Sequence, residues 1–180
     1  MGLAVLAMAT MTAAASAAET DGNDSQQPLR AVEVTVTEQA ESRTVIDGTT
    51  SPGETSEASA VTHVFTPQAP DYRGDSAYDH FTGQVRYRDG DHMTFAWSLK
   101  LHPSVSATAT GPMSESATAT RNGRGFGYGD SHLAVPANYL VHSSFRVNTS
   151  HYVLTVNEHF PIARGEKHVT TVFDFTVTLI

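Results

Sequence analysis

The sequence predicts an all-β protein, an antiparallel β-sandwich, and three observations support this class. Apolar and polar residues alternate with a period of two along most apolar segments, as in strands with one buried face. No segment keeps the 3.6-residue period of an amphipathic helix. Only 17% of the residues are charged, while Thr, Ser, Ala and Gly are abundant, and this composition favours strands and turns over charged helices.

Length, charge and cysteine content narrow the possible functions. With 180 residues the chain has the length of about one domain. Eleven basic and nineteen acidic residues give a net charge of −8. Because no basic cluster offsets this charge, we expect no binding to nucleic acid or to an anionic membrane. The chain has no cysteine, which excludes disulfides, Cys-ligated zinc, iron–sulfur centres and a thiol nucleophile.

The N-terminal segment predicts export. Residues 2–18 are uncharged, apolar and small, and Ala15-Ser16-Ala17 matches an A-x-A cleavage site. This run is too short and too rich in alanine for a good membrane span. We therefore expect residues 1–17 to be a signal peptide, with a buried N-terminal helix as the alternative. Residues 18–29 are polar and acidic and predict a disordered leader.

The first predicted strand covers residues 31–37. Its alternation places Val32, Val34 and Val36 on one face and polar residues on the other. A hairpin follows further along the chain, with strands at residues 78–88 and 92–101. Asp89-Gly90 lies between these strands and favours a type I′ turn, because both residues tolerate a positive φ.

Four further segments show the strand pattern. They are residues 60–66, 139–148, 151–157 and 168–180. The last segment places four large apolar residues on one face. These are Phe173, Phe175, Val177 and Leu179.

Three other segments have distinctive compositions. The pentapeptide SATAT at residues 106–110 recurs at 116–120, and two interpretations stay open: two facing strands, or a low-complexity loop. Residues 122–130 (NGRGFGYGD) lack the following helix and the Lys, Ser or Thr of a phosphate-binding loop, so we expect a flexible surface loop. Arg73-Gly74-Asp75 predicts a turn before the strand at Tyr78.

The search for catalytic and metal-binding motifs favours a protein that is not an enzyme. The nine histidines form no H-x-H or H-E-x-x-H motif, so we expect no metal site and no cofactor, although a three-His site assembled across a sheet stays open. We expect His80, His92 and His142 to be exposed, since they lie on the polar faces of their strands. There is no G-x-S-x-G motif. A glycosidase pair of carboxylates depends on spatial approach and also stays open.

Four segments resemble the strands of one family. Val32–Thr37 (VEVTVT) is similar to its N-terminal donor segment, and Val45-Ile46-Asp47 is similar to the I-D step that follows. Residues 60–67 (AVTHVFTP) resemble its next strand, and residues 173–179 resemble its closing strand. With an export signal and a cysteine-free β body, the chain resembles pilins of the alternate chaperone–usher class, the colonization-factor type of fimbriae on Gram-negative bacteria.

The resemblance implies an immunoglobulin-like sandwich, residues 39–180, that lacks its last strand. Residues 30–38 of the next subunit would complete it by strand addition, with Val32, Val34 and Val36 filling the groove. The final strand would face a periplasmic chaperone through the apolar face that carries Phe173, Phe175, Val177 and Leu179.

The implied partners are further copies of the chain in a head-to-tail polymer, the chaperone, an outer-membrane usher and a host-surface receptor. The implied location is the periplasm and then the cell surface. Two alternatives stay open: a monomeric exported β-sandwich that binds a carbohydrate or a protein, and a small secreted hydrolase. A monomeric module would have all its strands in place and fold alone.

Overall fold

The computed structural model describes residues 32–57, 61–65, 71–88 and 92–179. The predicted signal peptide, the predicted leader and the predicted turn at Asp89-Gly90 lie outside the described residues. The described elements, in chain order, are β1 (Val32–Ile46), β2 (Thr49–Thr50), β3 (Glu54–Glu57), β4 (Val61–Phe65), β5 (Tyr72–Asp75), β6 (Asp79–Arg88), β7 (His92–Leu101), α1 (Pro103–Ser106), β8 (Met113–Arg121), β9 (Arg124–Val135), β10 (Val141–Val147), β11 (His151–Ile162) and β12 (Gly165–Leu179).

The strands form two antiparallel sheets, which confirms the predicted fold class. The large sheet has the order β2-β1-β12-β11-β8-β9, and β3 and β4 also pair with β1. The small sheet has the order β10-β7-β6-β5. Residues that alternate along the strands of both sheets form one buried apolar cluster between them.

Aromatic rings connect the two sheets at the centre of the core. Phe173 of β12 stacks on Phe81 of β6, with ring centroids 4.3 Å apart. Phe175 stacks on Phe95 of β7 at 4.4 Å. Rings in such offset arrangements contribute about 0.5–1.5 kcal/mol per pair beyond their buried area. The predicted final strand therefore supplies the middle of the core.

The predicted hairpin at residues 78–101 is confirmed. β6 and β7 pair from Asp79 opposite Leu101 to Arg88 opposite His92. The face of β7 that the alternation assigned to the core is buried, from Met93 to Leu101. The other predicted strands correspond to β4, β10, β11 and β12, and β11 extends five residues beyond its expected end at residue 157.

The prediction of a flexible loop at residues 122–130 is wrong. Asn122 and Gly123, both with positive φ, form the turn of a hairpin, and β9 begins at Arg124. Two register shifts against β8 interrupt the pairing, and Gly127 (φ 83°) and Ala134 (φ 55°) lie within these irregular stretches. β9 is an edge strand, where bulges are common, and bulges accommodate the glycines that usually disfavour a strand.

The prediction of a turn at Arg73-Gly74-Asp75 is also wrong, because these residues lie in β5. Gly74 is tolerated in this strand because the carboxyl group of Glu38 occupies the space that a side chain at position 74 would need. The close approach of Glu38 thus explains a glycine that by itself indicates a turn.

The repeated pentapeptide follows neither of its two interpretations. Residues 106–110 lie at the end of α1 and in the turn after it, whereas residues 116–120 lie in β8. β8 pairs with β9 and β11, so the two copies do not face each other. Identical local sequences take different conformations here because only the second copy has strand partners on both sides.

Candidate functional site

The junction of β1 with β12 contains the residues that the sequence singled out. The two strands pair antiparallel from Val32 opposite Leu179 to Val45 opposite Glu166. The predicted donor segment therefore lies against the predicted final strand, within one and the same chain. We call this contact the β1–β12 seam.

The apolar side chains of the seam point into the core. Val34 (0% exposed) lies opposite Val177, and Val36 (1% exposed) lies opposite Phe175. Phe173 is also buried, while the side chains of Val32 and Leu179 lie outside the described residues. Burial of a valine side chain contributes about 1.5–3 kcal/mol, so Val34 and Val36 together contribute about 3–6 kcal/mol before ordering costs.

β1 also has partners on the side away from β12. Residues 32–36 pair with β4, residues 39–42 pair with β3, and the end of the strand pairs with β2. The strand runs without interruption across the expected boundary between the donor segment and the sandwich at residue 38. The N-terminal half of β1 is thus an inner strand of its own sheet.

A buried carboxyl group follows the two valines on the same face of β1. Glu38 is 0% exposed, and its Oε2 accepts a hydrogen bond of 3.2 Å from the Tyr72 hydroxyl. Its Oε1 is buried without a hydrogen-bond partner. Burial, and secondarily the nearby Asp79, raise the pKa of Glu38 to about 7.

Asp79 lies at the start of β6 on the facing sheet and is fully buried. The Ser76 hydroxyl donates to its Oδ1 at 2.7 Å, and the Thr171 hydroxyl of β12 donates to its Oδ2. Burial raises the pKa of Asp79, although both hydroxyl groups favour the ionised form and oppose this shift. Asp79 therefore connects the two sheets by a polar contact beside the seam.

Two more buried carboxyl groups lie next to each other on the large sheet. Glu158 of β11 is directly opposite Glu115 of β8, which in turn is opposite His132 of β9. The Nδ1 of His132 lies 2.9 Å from Glu115 Oε2. Both oxygens of Glu158 are buried without a partner. Burial is the largest cause that raises the pKa of both glutamates, and Asp79 adds to it at Glu158.

The sequence contained a signal for these buried carboxyl groups. Glu38 follows Val34 and Val36 on the apolar parity of β1, Glu115 lies between Met113 and Ala117, and Glu158 lies between Val156 and Phe160. A carboxyl group on the apolar parity of a strand indicates either a buried acid or a change of register. We call Glu38, Asp79, Glu115 and Glu158 the interior acids.

The described histidines form two ring contacts, His80 with His102 at 5.1 Å and His159 with His168 at 5.5 Å between ring centroids. His80 and His142 are exposed, as expected, and the side chain of His92 lies outside the described residues. Individual histidines contact single carboxylates, as His151 contacts Asp174 at 2.7 Å. Among the described residues, no group of three or more His, Asp or Glu is arranged to hold a metal ion.

The glycosidase alternative finds its nearest match in Glu115 and Glu158, which face each other across neighbouring strands. Both are almost completely buried, at 2% and 1% exposure. A polysaccharide bound at the surface does not reach carboxyl groups in this position. Burial is the largest cause that raises the pKa of Glu158, and the nearby charges of Asp79 and Glu115 add to it, so the neutral form of this carboxyl group is favoured.

In the part of the chain that the structure describes, no helix is long and apolar enough to cross a membrane. No family model, no curated protein and no solved structure matches this chain.

Proposed function

We propose that the chain is a structural subunit of a bacterial surface pilus, assembled by exchange of the N-terminal half of β1 between copies. The docking of this segment on β12, with Val34 and Val36 buried in the core, is the observation that supports the proposal. It is the geometry that a strand donated by a neighbouring subunit needs: backbone pairing for affinity and alternate side chains in apolar pockets.

In the isolated chain the segment fills its own groove. In the polymer the same segment of the next copy fills it, and each exchange leaves the subunit with a donor segment for a further copy. Such a head-to-tail contact does not close on itself and so produces a fibre. Residues 32–36 have backbone partners on both sides, so an incoming strand gains the pairing with β4 as well as with β12.

A monomeric exported β-sandwich that binds a carbohydrate or a protein is the second candidate. The continuity of β1 through Ile46 favours it, because a strand held on both sides in its own sheet leaves no vacant groove. The two candidates differ in one property: whether residues 32–37 leave the sandwich while the rest of it stays folded.

A labelled synthetic peptide of residues 31–38 distinguishes the two candidates when it is added in excess to the full chain. Exchange predicts that the peptide binds and that fibres seen by electron microscopy become shorter. In the peptide, Val34→Asp should abolish binding, because an unpaired buried carboxylate costs several kcal/mol. The matched change Thr35→Asp should be tolerated, since Thr35 is exposed.

The changes are made in the peptide, so the folding of the chain itself is unaffected. A chain that stays monomeric and excludes the wild-type peptide under all conditions contradicts the pilus proposal. The monomeric binding module is then the better interpretation.

A further inference from the structure

We propose that ionisation of Glu38 controls release of the N-terminal half of β1, so that strand exchange is slow in acid and fast at neutral pH. This inference rests on the exchange proposed above and adds its regulation. Glu38 follows Val34 and Val36 on the buried face of β1, and it is the first buried residue after them. It lies opposite Phe173 of β12. A charge at this position acts where the exchanged segment joins the rest of the strand.

The packing around Glu38 favours its neutral form. Its carboxyl group lies against the backbone of Gly74, one oxygen has no partner, and the other has the Tyr72 hydroxyl. A neutral carboxyl group needs less solvation than a carboxylate, so the docked strand is more stable when Glu38 carries a proton.

The ionisable groups that face Glu38 reinforce this preference. β5 contributes Tyr72 and Asp75, and β6 contributes Asp79. β12 places the uncharged Phe173 opposite it. None of these described groups is basic, so none of them supplies a positive charge that would compensate a carboxylate at position 38.

The direction of the effect follows from the two protonation equilibria. Docking raises the pKa of Glu38 from an ordinary 4.5 to about 7. The proton therefore stabilises the docked strand fully below pH 4.5, and this stabilisation is lost as the pH rises through 7. Between pH 5 and pH 8 the released fraction should rise by about tenfold to a hundredfold.

The same environment receives Glu38 in a self-docked and in an exchanged strand. The pH therefore changes how often the strand leaves, and hence the rate of exchange, more than the balance between monomer and polymer. A protein stored in acid and brought to neutral pH would begin to exchange strands without any other signal.

Thiol protection in the full chain tests this inference, because the chain has no cysteine of its own. Val36→Cys places a thiol in the exchanged segment, and Val156→Cys places one in β11, in the core that stays behind. Both valines are 1% exposed. The labelling rate of each thiol, divided by its rate in the urea-unfolded chain at the same pH, removes the pH dependence of the thiol itself.

We expect protection at position 36 to fall by about tenfold to a hundredfold from pH 5 to pH 8. At every pH it should stay below the protection at position 156, because that thiol becomes accessible only when the whole sandwich opens. Glu38→Gln should abolish most of the pH dependence at position 36. The matched change Glu33→Gln, on the outer parity of the same strand, should leave it intact. Asp79→Asn removes the acid whose charge contributes most to the raised pKa of Glu38 and should move the midpoint to lower pH. This variant tests the inference if Glu38→Gln does not fold.

Two results would overturn the inference. One is pH dependence at position 36 that Glu38→Gln leaves unchanged. The other is equal protection at positions 36 and 156 at every pH, which means that both thiols become accessible only when the whole sandwich opens, with no separate release of β1. Electron microscopy of the same samples separates this inference from the proposed function: release at pH 8 without fibres at any pH contradicts the pilus and leaves the control by Glu38 standing.

Discussion

The interior acids differ from one another in how well their oxygens are satisfied. Asp79 has two hydroxyl donors, Glu115 has His132, and Glu38 has Tyr72. Glu158 has none, although both of its oxygens are buried. A buried polar group without a hydrogen bond destabilises the folded state, and the size of the effect depends on what replaces it. Among the interior acids, Glu158 is therefore the residue whose replacement by an apolar residue should raise the free energy of unfolding most.

Glu158→Met should raise the free energy of unfolding at pH 7 by about 1–3 kcal/mol, because it removes an unsatisfied acid and keeps a similar volume. Urea denaturation of the full chain measures this change. Glu115→Met serves as the matched control on the next strand and should gain less, since it breaks the contact with His132. A decrease in stability for Glu158→Met would mean that Glu158 has a buried partner after all.

At the level of elements, hairpin turns determine how the strands follow one another. Asp47-Gly48 joins β1 to β2, and Asn122-Gly123 joins β8 to β9, all four residues having positive φ. Such dipeptides favour type I′ turns, because their residues tolerate a positive φ. Gly165 differs from these glycines, because at φ 105° it also packs against the backbone of Val45 in β1.

Gly165→Ala should destabilise the protein by about 2–4 kcal/mol, because a side chain there meets both backbone strain and the Val45 carbonyl group. Gly48→Ala is the matched control: its φ is also positive, but nothing lies within 4 Å, so only the strain of about 1 kcal/mol remains. Thermal or urea unfolding of both variants gives the comparison. Equal losses would show that β1 moves away from Gly165 without cost.

For the whole molecule, the raised pKa values of the interior acids predict the reverse of the usual dependence of stability on pH. Proteins commonly lose stability in acid because their carboxylates have depressed pKa values. Here burial raises the pKa of all four interior acids, to about 7 at Glu38. Between the unfolded and the folded pKa of each acid, the folded chain therefore binds more protons than the unfolded chain. The free energy of unfolding falls as the pH rises through this interval.

We expect the free energy of unfolding to be highest near pH 4–5 and to fall towards pH 7–8, with about 1–3 kcal/mol of the change arising from Glu38. Urea titrations of the full chain at one-unit pH intervals measure the curve. The stability contribution of each raised pKa is complete below the unfolded value, 4.5 for the three glutamates and 3.8 for Asp79, and is lost as the pH rises through the folded value. A free energy that increases steadily from pH 5 to pH 7 would contradict this assignment.

The sequence by itself determined the fold class and most strand positions. Alternation with a period of two is a local property, and it located the β6–β7 hairpin and the apolar faces of β1 and β12. It missed the strands at residues 73–75 and 124–130, because glycine in those segments resembles a turn or a loop until its neighbours are known.

Only the tertiary structure decided which strands meet. The pairing of β1 with β12 joins residues that are far apart in the chain, and no local pattern specifies it. The same holds for the interior acids: parity marks Glu38, Glu115 and Glu158 one by one, but the approach of Asp79 to Thr171 arises from the packing of two sheets. A raised pKa depends on how much water and charge surround a group, and in this protein that environment exists only after both sheets have come together.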